Sequence, residues 1–407
     1  MVKYKKGKAF VIIMILVMLC TSGCGNVENE NPDTDVSVNH TQSDNSMHDG
    51  TVNESITKEI QIDTGEYNAE TDAQSFFLWG HVAQSKQGYY FCDARNLQFY
   101  DFKSKQVVPV CNRPNCTHNG MTSPDCNAVF SDYYMSYDTG AGLRYYDGYL
   151  YMSACDEEGY DCLYRISLDG STREKYMRLY RSGKTETTTE TIEGTIIEGY
   201  RRAPKFWIHR DYVYYINEME KNTAIRRMKM GTDKEELIYR AQGERAALYR
   251  MKAYGDYLVF QTGNYSEDMI DVEADVCAYN IKTGELGKIV EGVYNEYHIY
   301  GDKLYYTTAT EIRSYDMKTK EDIAVITGNS GYYTFCIDDD YIYTFDYNSL
   351  VQVYTHDGKE VCRVSDSKMR ALYYVNDGKL LAEFPNGKIG IIETTDFADG
   401  SAAWSCY

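Results

Sequence analysis

From about residue 75 onward, short runs of alternating apolar and polar residues are separated by Gly, Asp and Asn. Outside residues 9–20 no long stretch carries the three-to-four-residue apolar period of a helix. One unit recurs: a Gly or Asp, then a Tyr or Lys, then β-branched, aliphatic or aromatic residues. It appears seven times, starting at Gly88, Gly148, Asp211, Asp256, Asp302, Asp340 and Gly378. Each copy follows another apolar stretch, as in "KFWIH", "NEYHIY" and "RALYYV", across a junction of turn residues, which predicts a hairpin. Each is followed by a third alternating run, as in "LQFYDFKSKQ" and "IRSYDMKTKE", and most by a short fourth, so the unit is a four-stranded meander.

The copies are spaced by 60, 63, 45, 46, 38 and 38 residues. A lone sheet of this kind exposes both faces, so neighbours must stack around an axis to bury them. The expected fold is an all-β β-propeller of four-stranded antiparallel blades: seven by direct count, with six or eight compatible with the spacing. The two long spacings mark insertions at 109–130 and 183–202. The last repeat lacks an obvious fourth strand, and "KEIQIDT" (58–64) is the expected closing strand. Tyr, with 41 copies, suits strands, and its alternate placement predicts packing between blades before any sugar-binding role.

The N-terminus sets the compartment. Lys3, Lys5, Lys6 and Lys8 precede twelve uncharged apolar residues, Ala9 to Cys20, a signal-peptide length and too short for a permanent span. Thr21, Ser22 and Gly23 then lead into Cys24, which resembles a bacterial lipobox with Thr21 where Leu is usual. The expected organisation is a signal peptide over 1–23, a lipidated Cys24 opening a polar, acidic stalk over 24–59, and the propeller over 60–407. The protein would then sit on the extracytoplasmic face of the cell membrane, held by the Cys24 lipid. Cleavage removes four Lys and no acids, taking the formal charge from -19 to -23, which argues against nucleic-acid binding.

Four donors, Cys111, Cys116, His118 and Cys126, lie within sixteen residues. Their types and number suit a structural zinc ion, while the extracytoplasmic setting equally suits a disulfide among the Cys. Cys155 and Cys162 flank a hairpin loop and are candidates for a cross-strand disulfide. The loop acids Asp156, Glu157, Glu158 and Asp161 lack a calcium-binding pattern and read as a solvated turn. Cys277 and Cys336 read as buried hydrophobes. No G-x-S-x-G, H-E-x-x-H, P-loop or G-x-G-x-x-G motif occurs, and Asp338, Asp339 and Asp340 fall on a predicted turn.

The lipobox-like start, the acidic stalk, the "YYF" and "YLY" strands and "VCNRPNCTH" followed by "DCNA" together resemble the Tyr-rich propeller lipoproteins secreted by clostridia-like Gram-positive bacteria. More distantly the chain is similar to TolB-like propellers. The resemblance implies compartment and fold, and no activity. The functional expectation is a membrane-tethered binding or scaffolding module for an extracellular protein, glycan or peptide. The alternative is a polysaccharide-active hydrolase or lyase with carboxylates at the propeller mouth, and no catalytic residues are assigned.

Overall fold

The computed structural model describes residues 56–76, 82–93, 96–119, 125–130, 142–156, 158–181, 188–192, 195–199, 205–217, 223–241, 246–265, 272–328, 332–346, 350–385 and 388–407. The expected signal peptide, the candidate lipidation residue Cys24 and the expected stalk up to residue 55 lie outside them. Seven four-stranded sheets follow one another, each with its strands paired in chain order, so the protein is a seven-bladed β-propeller. The blades occupy residues 82–109, 144–181, 206–240, 246–293, 297–327, 332–365 and 371–406. The seven repeat copies fall on the second strand of each blade, from Gly88–Asp93 in blade 1 to Lys379–Phe384 in blade 7. First strands of adjacent blades approach one another, which puts them innermost.

The repeat encodes both the hairpin and the ring. At Asp147-Gly148 and Asp377-Gly378 both turn residues have positive φ, the tight turn whose twist matches its flanking strands. Along the second strand, successive side chains enter opposite seams. Tyr89 packs with Tyr373 and Leu381 of blade 7, and Tyr90 with Leu150 and Ile166 of blade 2. Tyr214 faces blade 4 and Tyr215 faces blade 2; Tyr306 faces blade 4 and Tyr305 faces blade 6. Every pair of neighbouring blades, including 7 and 1, shares such a core, so the ring is closed.

Closure differs from the sequence expectation. The fourth strand of blade 7 is Ser405–Cys406, which pairs with Ile391 and Gly390 after the chain turns through the one-turn helix Asp396–Asp399. Residues 58–64 instead lie against blade 4. Glu59 bridges in parallel to Lys288, Ile60 N–H donates to Lys288 O (3.1 Å), and Lys288 N–H donates to Lys58 O (2.7 Å). Ile62 is buried in the core between blades 4 and 5, and that apolar burial fixes the placement. From there the segment runs inward as a strap, to His209 of blade 3 and Ala253 of blade 4. Within the 183–202 insertion, Thr188–Ile192 and Thr195–Gly199 form a two-stranded hairpin separate from the blades; its other residues lie outside those described.

Candidate functional site

The strap and the turns between first and second strands of blades 4 to 7 enclose a cavity of about 490 Å³ at one mouth of the ring. Blade 4 supplies Tyr254 and Gly255, blade 5 Ile299 to Gly301, blade 6 Ile337 to Asp340, and blade 7 Val375 to Gly378. Tyr67, Asp72 and Phe76 of the strap form another wall. Five Asp and no Lys or Arg are among the lining residues.

Local roles hold most of those carboxylates in place. Asp338 caps its own turn, accepting from the N–H groups of Asp340 (3.0 Å) and Tyr341 (2.8 Å) and from the Tyr343 hydroxyl (2.9 Å). The Tyr300 hydroxyl donates to Asp339, and Gln84 Nε2 donates to Asp377 (2.7 Å). Asp72 pairs with Arg210 (2.9 Å); burial pushes its carboxyl up, but Arg210 and the Asn68 amide outweigh that and hold it below the usual range. His298, from the innermost strand of blade 5, also lines the cavity. Only 4% of it is exposed, and its Nε2 is buried with no hydrogen-bond partner. Burial, reinforced by Lys252, drives its pKa well down, so the ring is neutral.

Two buried carboxylates, Glu296 and Glu383, have close partners. Glu296 lies between Lys252 (3.4 Å) and Arg250 (3.2 Å), and the Tyr373 hydroxyl donates to Glu383 (2.6 Å).

The Cys/His segment leaves the end of the fourth strand of blade 1, Val107–Pro109, and so belongs to the connection from blade 1 to blade 2. One residue ties both its ends: Val110 N–H donates to Leu97 O (2.9 Å), and Leu97 N–H donates to Ala128 O (2.8 Å). Between them, left-handed residues at Asn115 (φ 61) and His118 (φ 52) turn the chain back. One ligand atom from each of Cys111, Cys116, His118 and Cys126 then lies within 4.8 Å of the others, with Cys126 Sγ 3.5 Å from His118 Nδ1. No disulfide joins the three Cys. Burial, with the neighbouring Cys116 and Cys111 thiols, pushes the Cys126 thiol up to about 12. Residues 120–124 of this segment lie outside those described.

Blade 2 packs directly on the segment. Asn127 Nδ2 donates to Gly170 O (2.9 Å), Asn112 Nδ2 to Asp169 (3.1 Å), and Arg173 to Val129 O (2.6 Å). Gly170 has φ +68, and a Cβ there would meet the Val110 carbonyl at 2.3 Å, so only Gly allows this approach.

Cys155 and Cys162 occupy adjoining strands of blade 2, where Cys162 pairs with Ala154 and Cys155 with Asp161. The side chain of Cys155 lies outside the described residues. Cys162 is buried, its Sγ donating to Asp156 (3.4 Å), and burial and then Asp156 push its thiol up to about 12. Asp156 is not the solvated turn residue expected. Only 5% of its side chain is exposed, between Lys175 (3.1 Å) and Arg178 (3.0 Å). Cys277 and Cys336 are buried as expected.

Asp338, Asp339 and Asp340 read as turn residues in the sequence, and no local motif marks the other cavity residues. Their signal is positional: Gly301, Asp339 and Asp377 immediately precede the repeat unit in three successive copies, which stacking brings to one end of the ring.

The chain matches no protein-family model and no curated protein. Among solved structures it is similar to a prolyl endopeptidase studied for inter-domain dynamics, at a TM-score of 0.50 and 12% identity over 83% of this chain and 49% of that one. It is also similar to BamB from Moraxella catarrhalis (TM-score 0.41, 11% identity, 77% of this chain and 84% of that one). TolB from Acinetobacter baumannii has a TM-score of 0.35 and 13% identity over 79% of this chain and 77% of that one. At these identities the likeness is one of fold.

Proposed function

We propose that this chain is a lipid-tethered, extracytoplasmic β-propeller that binds a basic peptide segment of a partner protein in the cavity over blades 4 to 7. The lining of that cavity carries the reading: five Asp with no Lys or Arg, the aromatic walls of Tyr67, Tyr254 and Tyr300, and the unpartnered Nε2 of His298. A concave wall of one charge sign concentrates ligands of the other. Tyr faces attract ammonium and guanidinium groups, and a buried nitrogen without a partner gains a hydrogen bond when a polar group enters. The tether rests on the apolar run over 9–20, the small residues before Cys24 and the polar stalk.

The test presents the full chain, in detergent, with immobilised peptides that contain Lys and Arg, the same peptides with Gln in their place, and oligosaccharides. Basic peptides are retained, less so as salt rises. The D339N/D377N double variant binds about tenfold more weakly, since two partly exposed charges contribute roughly 0.7 kcal/mol each. Equal retention of basic and neutral peptides, or capture of oligosaccharides alone, overturns the reading. Labelled fatty acid is incorporated by the wild type and lost in Cys24→Ser.

A further inference from the structure

We infer that Cys111, Cys116, His118 and Cys126 form a structural zinc centre that clasps the connection between blades 1 and 2. The inference is independent of the ligand reading at the mouth. Three sulfurs and an imidazole converge within 4.8 Å of one another. Tetrahedral zinc with sulfur at about 2.3 Å holds its donors roughly 3.3–3.8 Å apart. The Cys126 Sγ to His118 Nδ1 separation of 3.5 Å falls in that range. A disulfide would join two of the three sulfurs and leave the third, with His118, gathered around nothing. Soft thiolates with one imidazole in a closed set suit zinc over the oxygen-seeking cations.

The surroundings match a structural role. Leu97 pins both ends of the segment, the left-handed turns at Asn115 and His118 direct the donors inward, and Cys126 packs with Ala128 and Val129 under them. Four protein donors complete a tetrahedron and leave no position for substrate. On binding, each of the three thiols releases its proton to solvent while the neutral imidazole lends a lone pair, so the loaded site carries one net negative charge and no electron is transferred. Because the same segment meets Gly170, Asp169 and Arg173 of blade 2, the metal would fix the outer contact of that seam.

The experiment is elemental analysis of the full chain, purified without chelator, alongside C116S, H118A and the control C362S, whose sulfur lies in blade 6. One zinc per chain is expected in the wild type and in C362S, and its loss in C116S and H118A. Cobalt in place of zinc is expected to give the intense visible absorption of a tetrahedral thiolate site. Should either variant fail to fold, the wild type carries the test: a chelator that strips the zinc lowers the melting temperature, and added zinc restores it. Zinc retained in both variants overturns the inference, as does a metal-free chain whose three thiols all alkylate. A metal-free chain that gains two daltons on reduction, mapped to this segment, overturns it in favour of the disulfide.

Discussion

His209 anchors the strap only as a neutral imidazole. It is fully buried; its Nδ1 accepts the Ala73 amide N–H (2.9 Å), and its Nε2 lies 2.7 Å from the Gly255 carbonyl, to which it must donate. A second ring proton would point Nδ1–H at the Ala73 N–H. Burial accordingly lowers its pKa, partly offset by Gly255 and Asp72. Because the folded value lies below the unfolded one of about 6.5, the unfolded chain takes up a proton that the native chain refuses. The contribution is complete above about pH 6.5 and declines as pH falls, by up to ~1.4 kcal/mol per pH unit. His298 has the same sign. Urea unfolding across a pH series is expected to give His209→Gln a stability about 1–3 kcal/mol lower near neutrality, from the disturbed hydrogen bonds. Its acid slope should be shallower than that of the wild type. An unchanged slope counts against the neutral anchor.

The segments on either side of the blades perform different tasks on the ring. The C-terminal strand Ser405–Cys406 completes blade 7, and Tyr407 after it lays its ring 4.7 Å from that of Tyr100 in blade 1, so these residues reinforce the seam between last and first blades. Deleting 405–407 removes the strand pairing and that aromatic contact together. The expected loss is about 2–4 kcal/mol in denaturant unfolding, comparable to truncating one buried side chain. Ile62→Ala in the strap removes buried surface between blades 4 and 5 and is expected to cost a similar amount while leaving the seam intact. The contrast shows what the sequence could carry. The blades were legible because a Gly or Asp turn and an alternating strand are local chemistry, and each of the seven copies became the second strand of its blade. The closing strand was not: Ser405 and Cys406 have no alternating apolar pattern, and they pair because the turn through Asp396–Asp399 folds the chain back onto Ile391 and Gly390 of the third strand. "KEIQIDT" has the pattern of a strand but nothing that names its partner. The Cys/His donors were legible as a set, whereas their convergence depends on Leu97, fourteen residues before Cys111, and on two left-handed turns. The mouth cavity draws on four blades and the strap, so no single stretch announces it.

At the scale of the molecule, the seven seams make stability a property of the ring. An open stack of repeats unfolds from its ends, because terminal units have one neighbour and internal units two. Here blade 7 touches blade 1 through Leu381, Ile389 and Tyr373 against Val82, Tyr89 and Phe91, so every blade has two neighbours. Two substitutions separate the cases. Leu258→Ala opens a fully buried site at the seam of blades 3 and 4, and Leu381→Ala opens one at the seam of blades 7 and 1. Each is expected to cost about 2–5 kcal/mol. In a closed ring both lower the same single calorimetric transition, because loss of either seam leaves its two blades with exposed apolar faces and propagates round the circle. The double variant then shows the sum of the two losses, the sites being far apart and sharing no partner. In an open stack, Leu381→Ala alone would split off an early transition for blade 7 and leave the remainder at the wild-type temperature. One transition displaced by both substitutions is the result that closure requires. It also gives the mouth its rigidity: a cavity walled by turns from blades 4 to 7 keeps its shape only while those blades melt together with the rest.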